Sequence, residues 1–153
     1  MIDSRTDLEF LKITASEMLP DWADRDTVTR FFHETMKPWQ DSMEEIGRAF
    51  DYAFSTNSGE GGFLMLAGQD RKLVGALLML KTGMGNYIPP WLLVFITIDP
   101  SARGRGLGRR LCERSISECD GDVKLHVEYD NPAKRLYERI GFVNKYAEMR
   151  LYQ

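Results

Sequence analysis

The 153-residue sequence predicts a mixed α/β fold, a central sheet covered by helices, in the order β-α-α-β-β-β-α-β-α-β-β. Three observations predict it. Short apolar or alternating stretches of strand length recur at 8–13, 63–67, 73–80, 91–99 and 123–129. Stretches with apolar residues three and four apart lie between them, at 25–36, 41–54, 107–119 and 132–140. At 91–119 a strand runs straight into a glycine-rich turn and then a helix. That order aims free backbone N–H groups and a positive dipole end at one point.

In chain order, Leu8 to Ile13 alternates apolar and polar residues, with a slip at Phe10-Leu11, and predicts a first strand that Pro20-Asp21-Trp22 ends. A helix follows from Arg25 to Met36, capped by Asp24 or Asp26, with Val28, Phe31, Phe32 and Thr35 inward. Pro38 closes it, because the residue before proline disfavours helical geometry. A second helix, Asp41 to Phe54, places Met43, Ile46, Ala49, Phe50 and Ala53 on one face. The glycine-rich stretch 58–62 is a connecting loop. Strands 63–67 and 73–80 form a hairpin, and 81–86 turns the chain into the third strand of a meander. The stiff entry Tyr87 to Trp91 either walls an acceptor pocket or caps the core. On the helix after the glycine turn, Leu107, Leu111, Ser115 and Cys119 recur every four residues, beside Cys112 and Ile116. Strand 123–129 then carries Val123, Leu125 and Val127 on one face and Lys124, His126 and Glu128 on the other. Asn131 caps a last helix with Pro132 at its first position; Ala133, Leu136, Tyr137 and Ile140 face inward and Gly141 ends it. Residues 142–144 and 147–151 are expected as short closing strands.

Composition narrows the function. Hydrophobic content of 43% and charged content of 28% are ordinary for a soluble globular protein, and no apolar run approaches the ~20 residues that span a bilayer. Residues 1–5 lack a charged-then-apolar leader, so the expectation is one cytoplasmic domain over 1–153, without membrane contact. Two histidines and two cysteines offer no metal-ligand cluster. Cys112 and Cys119, seven residues apart on one helix, rise ~10.5 Å relative to each other and cannot pair. The net charge of −3 is divided unevenly: 13 acidic against 6 basic residues over 1–61, and 10 against 14 over 62–153. The acidic half favours a cationic acceptor or is simply a solvated surface. Basic residues do not cluster with aromatics, so nucleic acid is not expected.

The glycine turn, Arg103-Gly104-Arg105-Gly106-Leu107-Gly108-Arg109-Arg110, reads as a phosphate cradle. A nucleotide-triphosphate loop is excluded, because no Gly-Lys-Ser or Gly-Lys-Thr occurs. The dinucleotide fingerprint fails in both registers, since Arg109 and Leu111 stand where its last glycine belongs. The spacing is instead R-x-x-G-x-G over 103–108. It resembles the pyrophosphate signature of the GNAT superfamily of acyl-CoA-dependent N-acyltransferases. Asp99-Pro100 and the segment Asn131-Pro132-Ala133-Lys134-Arg135-Leu136-Tyr137 through Gly141-Phe142 resemble further parts of that family, so that residues 91–142 carry the likeness.

The resemblance implies a single-domain acyl-CoA N-acyltransferase fold: a mostly antiparallel central sheet with one splayed parallel pair, here strands 91–99 and 123–129. It implies acetyl-CoA as acyl donor and an amine acceptor, small molecule or protein. Backbone groups of Arg103, Gly104, Arg105, Gly106, Leu107, Gly108 and Arg109 would hold the pyrophosphate, with the Arg103 and Arg105 side chains assisting. Ile96, Thr97 and Ile98 would meet the pantetheine as an added strand and supply the oxyanion donor. Asn131 matches the residue that touches the cofactor arm, though it suffices as a helix cap without one. Tyr137 matches the general acid on the thiolate side; a phenol pKa of ~10 keeps it protonated at neutral pH. The strand before the cradle has no ionisable residue before Asp99, so the base falls to His126, with Glu128 assisting or substituting, or to a water chain. Trp22, Trp39, Tyr52, Tyr87 and Trp91 are candidate acceptor contacts. A homodimer through sheet-edge pairing of the last strands is also open. Two rival readings remain: an acyl-CoA-binding module without catalysis, and a generic nucleotide binder.

Overall fold

The apolar runs at the middle of the chain become strands covered on both faces. The computed structural model describes residues 8–153, so the leader reading at 1–5 lies outside the described residues. Five strands, β1 (Leu8–Ile13), β2 (Gly62–Gln69), β3 (Lys72–Lys81), β4 (Trp91–Ile98) and β5 (Val123–Leu125), form one sheet in sequence order. The first three pairings are antiparallel, and β4 with β5 is parallel. The helices are α1 (Arg25–Thr35), α2 (Met43–Ala53), α3 (Leu107–Ser117) and α4 (Ala133–Ile140). The crossover from β4 to β5 runs through α3, as a parallel pair requires.

Alternation within β2 separates two cores. Leu64 and Leu66 meet Val28 and Phe32 of α1 and Ile46 and Phe50 of α2. Phe63, Met65 and Ala67 meet Leu107, Leu111 and Cys112 of α3. A strand buried on both faces has no polar side to show, which is why these segments read as unbroken apolar runs. Between β2 and β3 the turn is Asp70-Arg71, both with positive φ (52° and 57°), the twist that a two-residue hairpin needs.

Local signals set the helix ends. Asp24 accepts the Thr27 N–H (2.8 Å) and starts α1. The second helix begins at Met43 rather than Asp41, because the Ser42 hydroxyl accepts the Glu45 N–H (3.1 Å); Ser42-x-x-Glu45 is a capping-box spacing. Arg25 joins the two helices: it donates to the Gly47 carbonyl (2.9 Å), pairs with Asp51 (2.8 Å) and lies over the Phe50 ring (5.7 Å).

Two expectations are corrected. The strand expected over 123–129 pairs only across 123–125, because β4 bends away beyond its partner residues. The closing strands at 142–144 and 147–151 do not form: residues 143–153 are exposed and join no sheet, since no strand edge of the chain meets them.

Phe50 is fully buried, with the Phe32 ring 5.9 Å away and Phe54 at 6.2 Å. Phe50→Ala is expected to cost about 3–5 kcal/mol in urea unfolding. A loss below ~1 kcal/mol would mean that the α1–α2 layer is not packed as described.

Candidate functional site

The site begins where two parallel strands part. At one end β4 and β5 are held together: Trp91 pairs with Val123 in register, and its indole N–H donates to the Asp120 carbonyl (3.2 Å). Pairing reaches Leu93↔Leu125 and stops. At that point the register of β4 against β3 shifts, leaving Val94 as an extra residue between Leu93↔Met79 and Phe95↔Leu78. Such a bulge bends its strand and switches the face on which the next side chains fall. Trp91 and Leu93 belong to the α3 side, Val94 and Phe95 to the α1–α2 side, and Ile96 and Ile98 to the α3 side again. From Val94 on, the edge of β4 away from β3 has no strand beside it.

A cleft of about 630 Å³ fills this divergence. Val94 to Ile98 line one wall; His126, Val127, Glu128, Asn131, Leu136 and Tyr137 line the other; Thr35, Met36, Trp39 and Asp41, from the turn between α1 and α2, close the third side. A larger depression of about 810 Å³ lies at the opposite end of β4, against Trp91, Lys81 and loop 55–62, and touches none of the candidate catalytic residues.

The glycine turn sits at the cleft's Ile98 end. Asp99 turns the chain there: its carboxylate accepts the Ser101 hydroxyl and N–H, which hold it below the ordinary carboxylate range. Gly104 and Gly106 adopt φ of 79° and 76°, conformations that favour glycine, with open space beyond both. Gly106 is the N-cap of α3 and no side chain caps that helix. Its first-turn N–H groups and dipole therefore face outward, an arrangement that receives anions.

The arginines divide by task. Arg103 donates through Nε to the Ile98 carbonyl (3.0 Å) and through Nη2 to the Thr35 carbonyl (2.8 Å), so its guanidinium braces α1 against the end of β4. Thr35 and Thr97 hydroxyls meet beside it at 2.6 Å. Arg109 pairs with Glu113 (2.7 Å), and Arg110 lies over Phe10 (5.6 Å). Arg105 is exposed and joins none of the ion pairs among the described residues, which leaves it as the arginine of the turn open to an anion.

Tyr137 is buried in the cleft wall, its ring edge-on to Phe142 at 5.8 Å. Burial, with Cys112 and Glu128 adding to it, pushes the phenol well above its ordinary value, so the hydroxyl is a neutral donor. Asn131 behaves as a cap: its side-chain oxygen accepts the Ala133 N–H (2.9 Å), and its amide reaches Glu128 at 3.4 Å. His126 and Glu128 are exposed on the cleft. Burial pushes the Cys112 and Cys119 thiols up to about 12, which makes them inert packing groups.

One group escaped the sequence reading. Asp41 lines the cleft, and burial, then Glu45 and Glu128, push its carboxyl above the ordinary range. The carbonyl of Asp41 accepts from His33 Nδ1 (2.9 Å), which fixes the turn. Of the five aromatic acceptor candidates, Trp39 alone lines this cleft. Trp91 is buried in the core, and Tyr87 is exposed elsewhere. The run Trp39-Gln40-Asp41 between two helices was the available signal, but no local pattern places it opposite residue 128.

Comparison with known proteins gives the same outline. A profile described as the Acetyltransferase (GNAT) family matches residues 18–142. Over 63 residues the chain is 38% identical to a mycothiol acetyltransferase of Catenulispora acidiphila; the match takes in 38% of this chain and 20% of that protein's length. In fold it is similar to an aminoglycoside acetyltransferase from an uncultured soil metagenomic sample, in complex with sisomicin (13% identity, TM-score 0.69, 99% and 98% of the two chains). It is likewise similar to the ribosomal-protein-S18-alanine N-acetyltransferase of Escherichia coli (16% identity, TM-score 0.62, 91% of this chain and 79% of that one).

Asp41 yields a stability prediction. A carboxyl whose folded pKa is raised favours the fold below its unfolded pKa, and that advantage is lost as pH rises through the folded value. Asp41→Asn removes the partly desolvated charge, so its melting temperature should exceed that of the parent at pH 7 and converge with it near pH 3. An equal difference at both pH values would show that the Asp41 charge is not what the turn resists.

Proposed function

The chain belongs to the Acetyltransferase (GNAT) family, and from that premise we propose that it is an acetyl-CoA-dependent N-acetyltransferase, one domain over 1–153, acting on a primary amine by direct transfer. The observation that carries the reading is the position of Tyr137: a protonated phenol buried in the wall of the same cleft that β4 opens at Val94.

The residues divide the work by chemistry. N–H groups at Gly104 to Arg109 receive the pyrophosphate, with Arg105 adding charge. The free edge of β4 at Ile96, Thr97 and Ile98 offers main-chain groups to the pantetheine amides, as to an added strand. An N–H of that edge also meets the negative charge that develops on the thioester oxygen. When the amine nitrogen bonds to the carbonyl carbon, the carbon–sulfur bond breaks and its electron pair leaves on sulfur. Tyr137 supplies sulfur's proton and is reprotonated from solvent. The amine's proton passes to His126, to Glu128, or to water held between them.

Charge in the cleft favours a cationic acceptor. Asp41 and Glu128 face the cleft with Trp39 beside them, and neither carboxylate joins an ion pair among the described residues. A protonated amine is drawn to that end and gives up a proton there before it reacts. The relatives named above act, by their names, on small molecules and on a protein, so the acceptor's size is open. No helix among the described residues is long and apolar enough to cross a membrane, and we place the reaction in the cytoplasm.

The second reading, an acyl-CoA-binding module without catalysis, draws on the absence of any ionisable side chain in Trp91–Ile98. Thiol release from acetyl-CoA across a panel of amines separates the two. Transfer with at least one amine is expected, whereas tight CoA binding with no thiol release from any of them would favour the binding module. With a competent amine, Tyr137→Phe should lower turnover by about 10²-fold or more and leave acyl-CoA affinity by calorimetry nearly unchanged. Unaltered turnover would remove Tyr137 from the mechanism.

A further inference from the structure

The end of α1 is fastened to the open end of β4 by two contacts between residues 62 and 68 positions apart in sequence. Thr97 is buried and meets Thr35 hydroxyl to hydroxyl at 2.6 Å. Because the Thr35 hydroxyl gives its one proton to the Phe31 carbonyl (2.5 Å), Thr97 is the donor of that pair. Arg103 Nη2 takes the Thr35 carbonyl (2.8 Å), one of those a helix leaves without a partner at its C-terminus, while Nε holds the Ile98 carbonyl (3.0 Å). A cation also suits that end of the helix dipole. Arg103 is itself fixed: its N–H donates to the Pro100 carbonyl (3.4 Å) in the short turn that Asp99 caps.

This clasp stands directly behind the acceptor side of the cleft. Met36 follows Thr35, and the turn from Met36 to Asp41 carries the cleft's Trp39 and Asp41. The turn's own anchors lie within it or on α1: the Trp39 N–H on the Met36 carbonyl (2.9 Å), the Met36 N–H on that of Phe32 (3.1 Å), and His33 Nδ1 on that of Asp41 (2.9 Å). Among the described residues no hydrogen bond or ion pair joins 36–41 to β4, β5 or α4. Across the cleft, the Glu128 carboxylate repels that of Asp41. A wall that is pushed from the front and tied only at its root depends on what holds the root.

We propose that Arg103 is a positioning residue for the acceptor: its fork fixes the end of α1, and through it the wall formed by Trp39 and Asp41, while the charge of the phosphates is met by Arg105. Two arginines of one turn thereby serve different substrates, an inference that rests on the acetyltransferase reading above. Arginine is required at 103 because a planar fork bonds two carbonyls at once, whereas a lysine ammonium is a single point charge on a flexible stem.

Arg103→Gln, Arg103→Lys, Thr97→Val and Arg105→Gln are compared with the parent in three ways. These are hydrogen exchange of the bonded amides at Met36 and Trp39, calorimetry with CoA, and kinetics with the amine of the panel that releases most thiol. In Arg103→Gln both amides should exchange faster and the amine KM should rise about 10-fold or more, with CoA affinity within about twofold of the parent's. Arg103→Lys keeps the charge and loses the fork, so it should share the defect. Thr97→Val removes one hydroxyl of the clasp and should show a smaller change in the same direction; it carries the test if Arg103→Gln does not fold. Arg105→Gln should do the reverse, weakening CoA and leaving the two amides as they were. Full recovery by lysine would assign the effect to charge alone and overturn the proposal. So would unchanged exchange at Met36 and Trp39, or a loss of CoA affinity in Arg103→Gln equal to that in Arg105→Gln. Thiol release by the parent with none of the amines sinks the enzyme reading instead, and exchange at the two amides then decides the clasp by itself.

Discussion

The structure turns on a parallel pairing that lasts three residues and then fails. Trp91, Leu92 and Leu93 meet Val123, Lys124 and Leu125, and at Val94 the bulge carries β4 away. Had the pairing continued, the main-chain groups of Ile96 to Ile98 would be satisfied by β5 and nothing could lie between the strands. Because it stops, the sheet has an internal edge whose main-chain groups, apart from the Ile98 carbonyl that Arg103 takes, still require partners. An extended ligand with amides of its own is the natural occupant of such an edge. Trp91 keeps the closed end closed through Asp120, and Arg103 with the Thr35–Thr97 contact fixes α1 against the open end of β4. The cleft is therefore built into the fold, with little left to be arranged when a ligand arrives.

Charge is laid unevenly along that gap. The cradle at Gly104 and Gly106 lies at one end, where an uncapped helix terminus and Arg105 favour an anion. Asp41 and Glu128 lie on the cleft with Trp39, where they favour a cation. The α1–α2 turn of the acidic half supplies Asp41, while Glu128 and the arginines of the cradle come from the basic half.

How far each feature could be read in advance depends on the range of its signal. The cradle and the Asn131 to Phe142 segment were legible because their geometry is local: a glycine at each left-handed position, and a cap two residues before the N–H it accepts. The helices were legible to within two residues; Ser42 explains the later start of α2, and α4 begins at Ala133 with Pro132 as its N-cap. The bulge at Val94 was not legible, because an unbroken apolar strand looks the same in either face assignment. Asp41 was missed because its relation to Glu128 crosses 87 positions of sequence. The resemblance that gives Arg103 to a phosphate does not say that its Nε and Nη2 would also reach the Ile98 and Thr35 carbonyls. The closing strands were expected from alternation, which identifies a segment suited to a sheet and says nothing of whose sheet it joins.

Tyr137 and Asp41 show how one physical effect gives two groups different duties. Burial acts on both against the charged form. For the phenol this reinforces its ordinary state, and the result is a proton donor that stays loaded well into the alkaline range. For the carboxyl it works against the ordinary state, so Asp41 is held charged beside Glu45 and Glu128 at a cost to the fold. An ammonium group placed among those carboxylates removes that cost by supplying the missing counter-charge. Stability that the cleft loses through those like charges is thereby regained as affinity when a cation enters.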